Sequence, residues 1–555
     1  MYVVTEKGSV ARSIRTAVKP SPRVSALSGH FLGLDFPKEY NIWSKVDPKE
    51  LFNAPINWVI TDRKNYRKLT EELKEAVSPI VMATDNDPEG ELIAYEVLHL
   101  AKKAMGDFSY KRMRFNASTR SELQRAWSNL EEELNWGWVW KALFRHKFDL
   151  VTGAAYTRLL TLSAQQQGKR SKLVSWGSCQ TPTLWFVYER DMEISHFQPE
   201  KYYVIEAVLN IEGITIKVSS DPIRDKEMAE VLFERARMQR EAVVKKFVLK
   251  DEIRFKPWPT DTDAMLQELT KLLPLSGARI MSIAESLYAE GYISYPRTQT
   301  NMWIKVEHKT ILASLAGTPF ADYIVMADLD PRNGRKNDGA HPPIHPTEPC
   351  EVKGSKGKIW DYLARRYLAN VISKDALFKR WILRVDLNGI ILQASGRYMI
   401  QEGFYRVFPY FKPKNLQRIP EVHLGMKLAV EGIDLEERET KPPPHLSESD
   451  LLRMMEQYSI GTDATRQIYP SLIVRRGYAY RRGKYLTLSN VGYDLINELK
   501  RVDDRLVTPE TRAYVEAGMV EVEKRSKTAE EALKESLTIY EKLYTKLVDK
   551  LNFPS

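Results

Sequence analysis

The chain has 555 residues, enough for several domains at ~100–200 residues each, and its 43% hydrophobic content allows substantial cores. A net charge of +10, from 83 Lys+Arg against 73 Asp+Glu, suits a polyanionic partner better than an acidic one. The widely separated Cys179 and Cys350 exclude a disulfide framework or a Cys-x-x-Cys zinc ribbon, and no apolar run approaches the ~18 residues of a membrane span.

Met1-Tyr-Val-Val-Thr lacks signal-peptide features, so an intracellular, soluble protein is expected. Tyr2–Thr5 reads as a strand, Lys7–Gly8 as a turn and Ser9 to Val18 as a helix. Pro79–Thr84 reads as a buried strand, followed by the loop Asp85–Pro88 and an amphipathic helix from Glu89 to Lys103, with Pro88 suited to its first turn. Helix is also predicted from Glu131 to Ala164. This alternation is that of an α/β domain. Tyr202–Val218 then shows β alternation, and Lys256–Pro259 looks like a boundary. Asp263 to Glu290 is helical, Trp381–Leu392 and Gly403–Phe411 return to β character, and Lys441–Pro444 marks a further junction. Helical segments follow, with Lys524–Lys550 reading as a solvated, charge-alternating helix. The α–β–α–β–α order predicts discontinuous domains.

The segment Glu290–Asn301 contains Tyr295-Pro296-Arg297. A tyrosine can attack a phosphodiester and keep the phosphate as an ester if cations absorb the developing charge. Taken alone, Tyr-Pro-Arg is more commonly a buried tyrosine ahead of a turn. Asp85, Asp87 and Glu89 alternate where a predicted strand runs into a helix. Open α/β sheets place ligands at that end of their strands, and three hard oxygen donors suit Mg²⁺. The plainer alternative is a solvated acidic turn with Glu89 and Glu91 complementing the helix dipole. Glu6 and Lys7 end the first strand beside this loop, with Lys7 at a helix N-terminus. For Trp176 and Trp185, core packing is commoner than stacking on bases. His30 reads as structural, and His345 and His445 as turn or surface residues.

Glu6-Lys7, Asp85-x-Asp87-x-Glu89-Gly-Glu91 and Gly291-Tyr-Ile-Ser-Tyr295-Pro-Arg297-Thr stand in the order and spacing of type IA DNA topoisomerases, the first two resembling the Toprim fold. Ser28-Gly-His-Phe-Leu-Gly, Gly177-Ser-Cys-Gln180-Thr-Pro-Thr-Leu184 and Gly461-Thr-Asp-Ala-Thr-Arg466 look closest to the archaeal and eukaryotic topoisomerase III branch. Ala340-His341-Pro-Pro-Ile-His-Pro-Thr347 resembles the family's histidine motif. Departures are Ala117-Ser118, Ser178-Cys179 and Gln299, none of which touches the nucleophile or the acidic residues.

The resemblance implies a multidomain α/β, α and β architecture forming a toroid. Its parts would be a Toprim domain over 1–148, a helical single-strand-binding domain over 149–198 and 446–555, a β-rich arch over 199–260 and 378–445, and a catalytic tyrosine domain over 261–377. It makes Tyr295 the nucleophile of a 5′-phosphotyrosine intermediate, with Arg297, Glu6, Lys7 and His341 as catalytic partners. Asp85, Asp87 and Glu89 would hold Mg²⁺, while Arg145, Asp149, Arg158 and Gln180 would meet DNA. The implied protein is a monomer that relaxes or decatenates DNA, with a helicase as partner and no membrane, in the cytoplasm and nucleoid or in a nucleus. No Gly-x-x-x-x-Gly-Lys-Ser/Thr loop is present, which fits ATP independence. The competing readings are a Toprim nuclease or primase, which needs no tyrosine motif, and a single-strand binding protein, which needs no acidic residues.

Overall fold

The computed structural model describes residues 1–551 apart from 167–172, 305, 326 and 464. Its first part contains β1 (Tyr2–Thr5), α1 (Gly8–Ala17), β2 (Arg23–Ala26), β3 (Leu32–Asp35), β4 (Asn57–Ile60), α2 (Arg63–Lys74), β5 (Ile80–Ala83), α3 (Pro88–Met105), β6 (Tyr110–Arg112), α4 (Arg120–Ser128) and α5 (Trp136–Gln166). Four strands form a parallel sheet in the order β2-β1-β5-β6. β1 is buried on both faces, because successive side chains of a strand point to opposite sides. Val3 packs with Val10, Ile14 and Leu123, while Tyr2 and Val4 pack with Leu69, Ile93 and Val97. Helices therefore cover both faces, as in doubly wound sheets. Thr5 pairs with Ala83, so the loops leaving β1 and β5 emerge side by side.

After α6 (Gln180–Ser195), β7 (Lys201–Ile211), β8 (Ile214–Ser219), β9 (Glu241–Arg254), β10 (Ala376–Leu387), β11 (Ile390–Gln401) and β12 (Lys427–Glu439) close a barrel in the order β10-β11-β8-β7-β12-β9. Ile205, Leu209, Trp381, Leu383 and Val385 fill its interior. The chain leaves the barrel at Arg254 and re-enters at Ala376, which pair directly. Everything between, including Tyr295, hangs from that pair. This insert is built on helices Thr262–Leu272, Gly277–Ala289 and Gly354–Val371, whose apolar faces share one core with α1, Val81 and Phe115.

Three expectations are corrected. Gly403–Phe411 is a turn rather than a strand: Gly403 has φ +54° and a Cβ there would stand 2.3 Å from the Asp375 carbonyl oxygen, while Phe404, Val407 and Phe408 bury individually. The helix expected from Glu131 starts at Trp136, since Glu131 is spent on backbone pairing with Arg112. Helix Ala529–Leu551 is not fully solvated; Tyr540, Leu543, Tyr544 and Leu547 pack into the core beside α5. No helix among the described residues is long and apolar enough to cross a membrane.

Candidate active site

The carboxyl ends of β1 and β5 deliver Glu6, Lys7 and the Asp85–Asp87 loop to one crevice. Asp87 caps α3, its carboxylate accepting the Gly90 N–H at 2.7 Å, and Pro88 occupies the first turn. Gly90 is needed for a close approach: a Cβ there would stand 2.1 Å from the Asp85 carbonyl oxygen. Gly90→Ala is expected to displace the loop at a cost of ~1–3 kcal/mol, read as an earlier denaturation midpoint. Beneath the loop the fully buried Arg112 donates to Glu91 at 2.8 Å. It also donates to the carbonyls of Met82, Thr84, Asp85 and Met113 at 3.1, 3.0, 2.8 and 2.8 Å.

Tyr295 comes to this loop from the insert. Its N–H donates to the Asn116 carbonyl at 2.8 Å, and its phenol donates to the Asp87 carboxylate. The ring is 1% exposed. It meets Tyr288 edge-on at 5.0 Å and His341 nearly face to face at 4.9 Å. Burial, reinforced by the charges of Asp87 and Asp85, holds the phenol well above its ordinary range, against the opposing pull of Arg297. Arg297 lies against Glu285 at 2.5–2.8 Å. His341 Nδ1 is 3.2 Å from Asp338, and its buried Nε2 has no hydrogen-bond partner. Asp338 itself accepts from Thr298 and the backbone of Gln299, Ala340 and His341. A cleft of about 470 Å³ lined by Asp87, Glu89, Arg145, Arg297 and His341 opens beside the phenol.

Lys7 Nζ meets Asp85 at 2.5 Å. Burial works to lower this ammonium, but Asp85 and Glu6 outweigh it and hold it above its usual range. Burial and then Asp85 push the Glu6 carboxyl up to about 8, with Asp87 adding to the effect. Glu6, Asp85 and Asp87 are hard oxygen donors of the kind Mg²⁺ takes, brought near one another at the ends of β1 and β5, although their ligand atoms do not all come within 4.8 Å of one another.

The expected triad is divided, however. Glu89 accepts from Arg145 at 2.7 Å and sits 2.9 Å from His146 and 3.1 Å from His30. Burial works against its ionisation, yet Arg145, His146 and His30 hold it well below the carboxylate range. Burial also opposes charge on His30, but Glu89 and Glu96 push it up to about 10.

The other expected DNA contacts are spread out. Asp149 accepts from Arg512 at 2.9 Å and Ser178 at 3.2 Å. Arg158 and Gln180 are buried, the first donating to the Tyr40 carbonyl beside Trp43 and the second to the Ser175 carbonyl at 3.1 Å. Trp176 stacks on Tyr156 in the core. His345 is a correction, being buried with Nδ1 2.6 Å from the Pro343 carbonyl; burial holds it down to about 4. Arg112, Asp338 and His146 were missed. Only His146 carried a local signal, its place beside Arg145.

The sequence matches the family model described as DNA topoisomerase over residues 133–534, and that of the Toprim domain over residues 2–117. It is 32% identical to DNA topoisomerase 3-alpha of Drosophila melanogaster over 545 residues, covering 95% of this chain and 43% of that protein. It is likewise 32% identical to DNA topoisomerase 1 of Archaeoglobus fulgidus over 562 residues, covering 96% of this chain and 82% of the relative. Full-length topoisomerase I from Thermotoga maritima shares the fold, with a TM-score of 0.79 at 23% identity over 98% of this chain and 90% of the other. Matched along most of its length in sequence and in fold, the chain belongs to the type IA DNA topoisomerase family.

Proposed function

We propose that this protein is an ATP-independent topoisomerase that breaks one DNA strand through a tyrosine ester, passes another strand and reseals the first. The observation that carries this reading is the contact between Tyr295 and Asp87, groups 208 positions apart in the chain. The phenol is neutral at rest, so its proton must leave as the oxygen attacks phosphorus, and Asp87 stands in place to accept it. The Tyr295 O–P bond forms as the bond to the 3′ oxygen breaks, and that oxygen takes a proton from solvent and leaves as the 3′ hydroxyl. Arg297 and Lys7 supply positive charge around the reacting phosphate, and His341 stacks on the phenol ring and holds it in line. Mg²⁺, bound by Glu6, Asp85 and Asp87, would screen carboxylate from phosphate and keep the broken ends aligned for resealing. The ester retains the energy of the broken linkage, so no nucleotide is consumed.

The residue ranges 1–148, 149–198 with 446–555, 199–260 with 378–445, and 261–377 then act as Toprim, strand-binding, arch and tyrosine units of a monomer. Its substrate is single-stranded segments of underwound or catenated DNA, opened by a helicase. Negatively supercoiled plasmid incubated with Mg²⁺ and no ATP tests the reading. A ladder of topoisomers separated by single linking steps, abolished by EDTA, is expected. Accumulated nicks would indicate a nuclease, and unchanged plasmid a binding protein.

A further inference from the structure

Behind the Tyr295–Asp87 contact, three side chains from separate parts of the chain converge. His30 precedes β3, Glu89 lies in the first turn of α3, and His146 projects from α5. Their ligand atoms all lie within 4.8 Å of one another, the one such set of three His, Cys, Asp or Glu groups among the described residues. His30 Nε2 and His146 Nε2 approach the same carboxylate oxygen, Glu89 Oε2, at 3.1 and 2.9 Å. We propose that His30, Glu89 and His146 bind one divalent ion of the Zn²⁺ class, at a site separate from the one that takes Mg²⁺.

The donor chemistry selects the ion. Two imidazoles and a carboxylate are ligands for Zn²⁺, and three protein ligands leave a place for water or a phosphate oxygen. Mg²⁺ favours oxygen alone. The surroundings support the ligands as metal sites require. His30 Nδ1 is 2.5 Å from Glu96, an arrangement that keeps a hydrogen on Nδ1 and makes Nε2 the nitrogen that gives up its hydrogen to a metal. Glu96 is fully buried and is itself fixed, accepting the N–H groups of Phe31 at 3.2 Å and Leu32 at 3.0 Å. The second oxygen of Glu89 is steadied by Arg145 at 2.7 Å, leaving Oε2 for the ion.

The side chains of His30, Glu89 and His146 are 29%, 24% and 29% exposed, so an ion can enter without unfolding. Binding displaces the hydrogen between imidazole and Glu89, and also the 3.1 Å contact from Arg145 to His146 Nε2. The proton is released to solvent. A bound ion would tie the turn before β3 to α3 and α5.

The test uses the full-length, tag-free protein stripped of metal and titrated with Zn²⁺ by calorimetry, then with Co²⁺ by visible spectroscopy. One equivalent of Zn²⁺, and a Co²⁺ spectrum with the intense absorption of a four-coordinate site, are expected. His146→Ala should abolish both. Glu96→Gln should weaken Zn²⁺ affinity by ~10–100-fold, because an amide N–H facing Nδ1 moves the imidazole hydrogen to Nε2. Circular dichroism confirms that each variant is folded. Absence of saturable Zn²⁺ binding, binding indifferent to both substitutions, or displacement by equimolar Mg²⁺ would overturn the proposal. Asp85→Asn separates this site from the topoisomerase reading: Zn²⁺ binding should persist while Mg²⁺-dependent relaxation falls.

Discussion

Tyr295→Phe protein will bind single-stranded DNA, form no covalent adduct and leave the linking number of a plasmid unchanged. The substitution removes one oxygen and keeps the ring that packs between Tyr288 and His341. Its structural cost is the lost donor to Asp87, a penalty of ~1–3 kcal/mol for a buried acceptor left unpaired, which a core of this size tolerates. Its chemical cost is far larger. Removing a nucleophile lowers turnover on the order of 10⁶-fold in well-studied enzymes, because no other side chain can hold the broken end. An oligonucleotide labelled at its 3′ end should become attached to wild-type protein, while one labelled at its 5′ end should yield a free shortened fragment. Neither product should form with Tyr295→Phe. Adducts in the variant would move the nucleophile elsewhere and undo the assignment.

Arg112→Ala carries the largest stability penalty expected in the fold. The guanidinium and the carboxylate of Glu91 are both fully buried, and stripping one partner from such a pair typically costs ~3–5 kcal/mol. Arg114, 2.6 Å from the same Glu91 oxygen, offsets part of the charge imbalance but reaches none of the four carbonyls that Arg112 serves. The acidic loop therefore loses its floor. Denaturant titration should show the early midpoint, and hydrogen exchange should localise the loosening to β5, β6 and the Asp85–Asp87 loop. Arg114→Ala, a partly exposed guanidinium, should cost clearly less. Equal losses in the two variants would mean that the loop is held by charge alone rather than by the carbonyl contacts.

Much of the site could be read in the chain because its signals are local. Ile80–Ala83 followed by Asp87, Pro88 and Gly90 spells strand, cap, first turn and close approach in consecutive residues. The division of Asp85, Asp87 and Glu89 was not legible. Alternate spacing suggests one cluster, but the chain passes from loop to helix at Pro88, and successive helical residues point ~100° apart. Asp87 is consequently left at the cap facing Tyr295, while Glu89 turns toward α5. Arg112 gave no hint because a lone arginine on a short strand matches no pattern until the neighbouring loop folds over it. Gly403–Phe411 misled through composition: its aromatic residues are buried one at a time around a turn, which mimics β alternation.

The paired exit and entry of the barrel at Arg254 and Ala376 have a mechanical consequence. A body suspended from one covalent linker spins freely about it. One suspended from two hydrogen-bonded ribbons can tip outward but resists swivelling, as a door does on two hinges. Under the proposed strand passage, the unit carrying Tyr295 would have to part from the core it shares with α1, Val81 and Phe115, and the paired ribbons would then bring it back in the same orientation, with a severed end facing the partner it left.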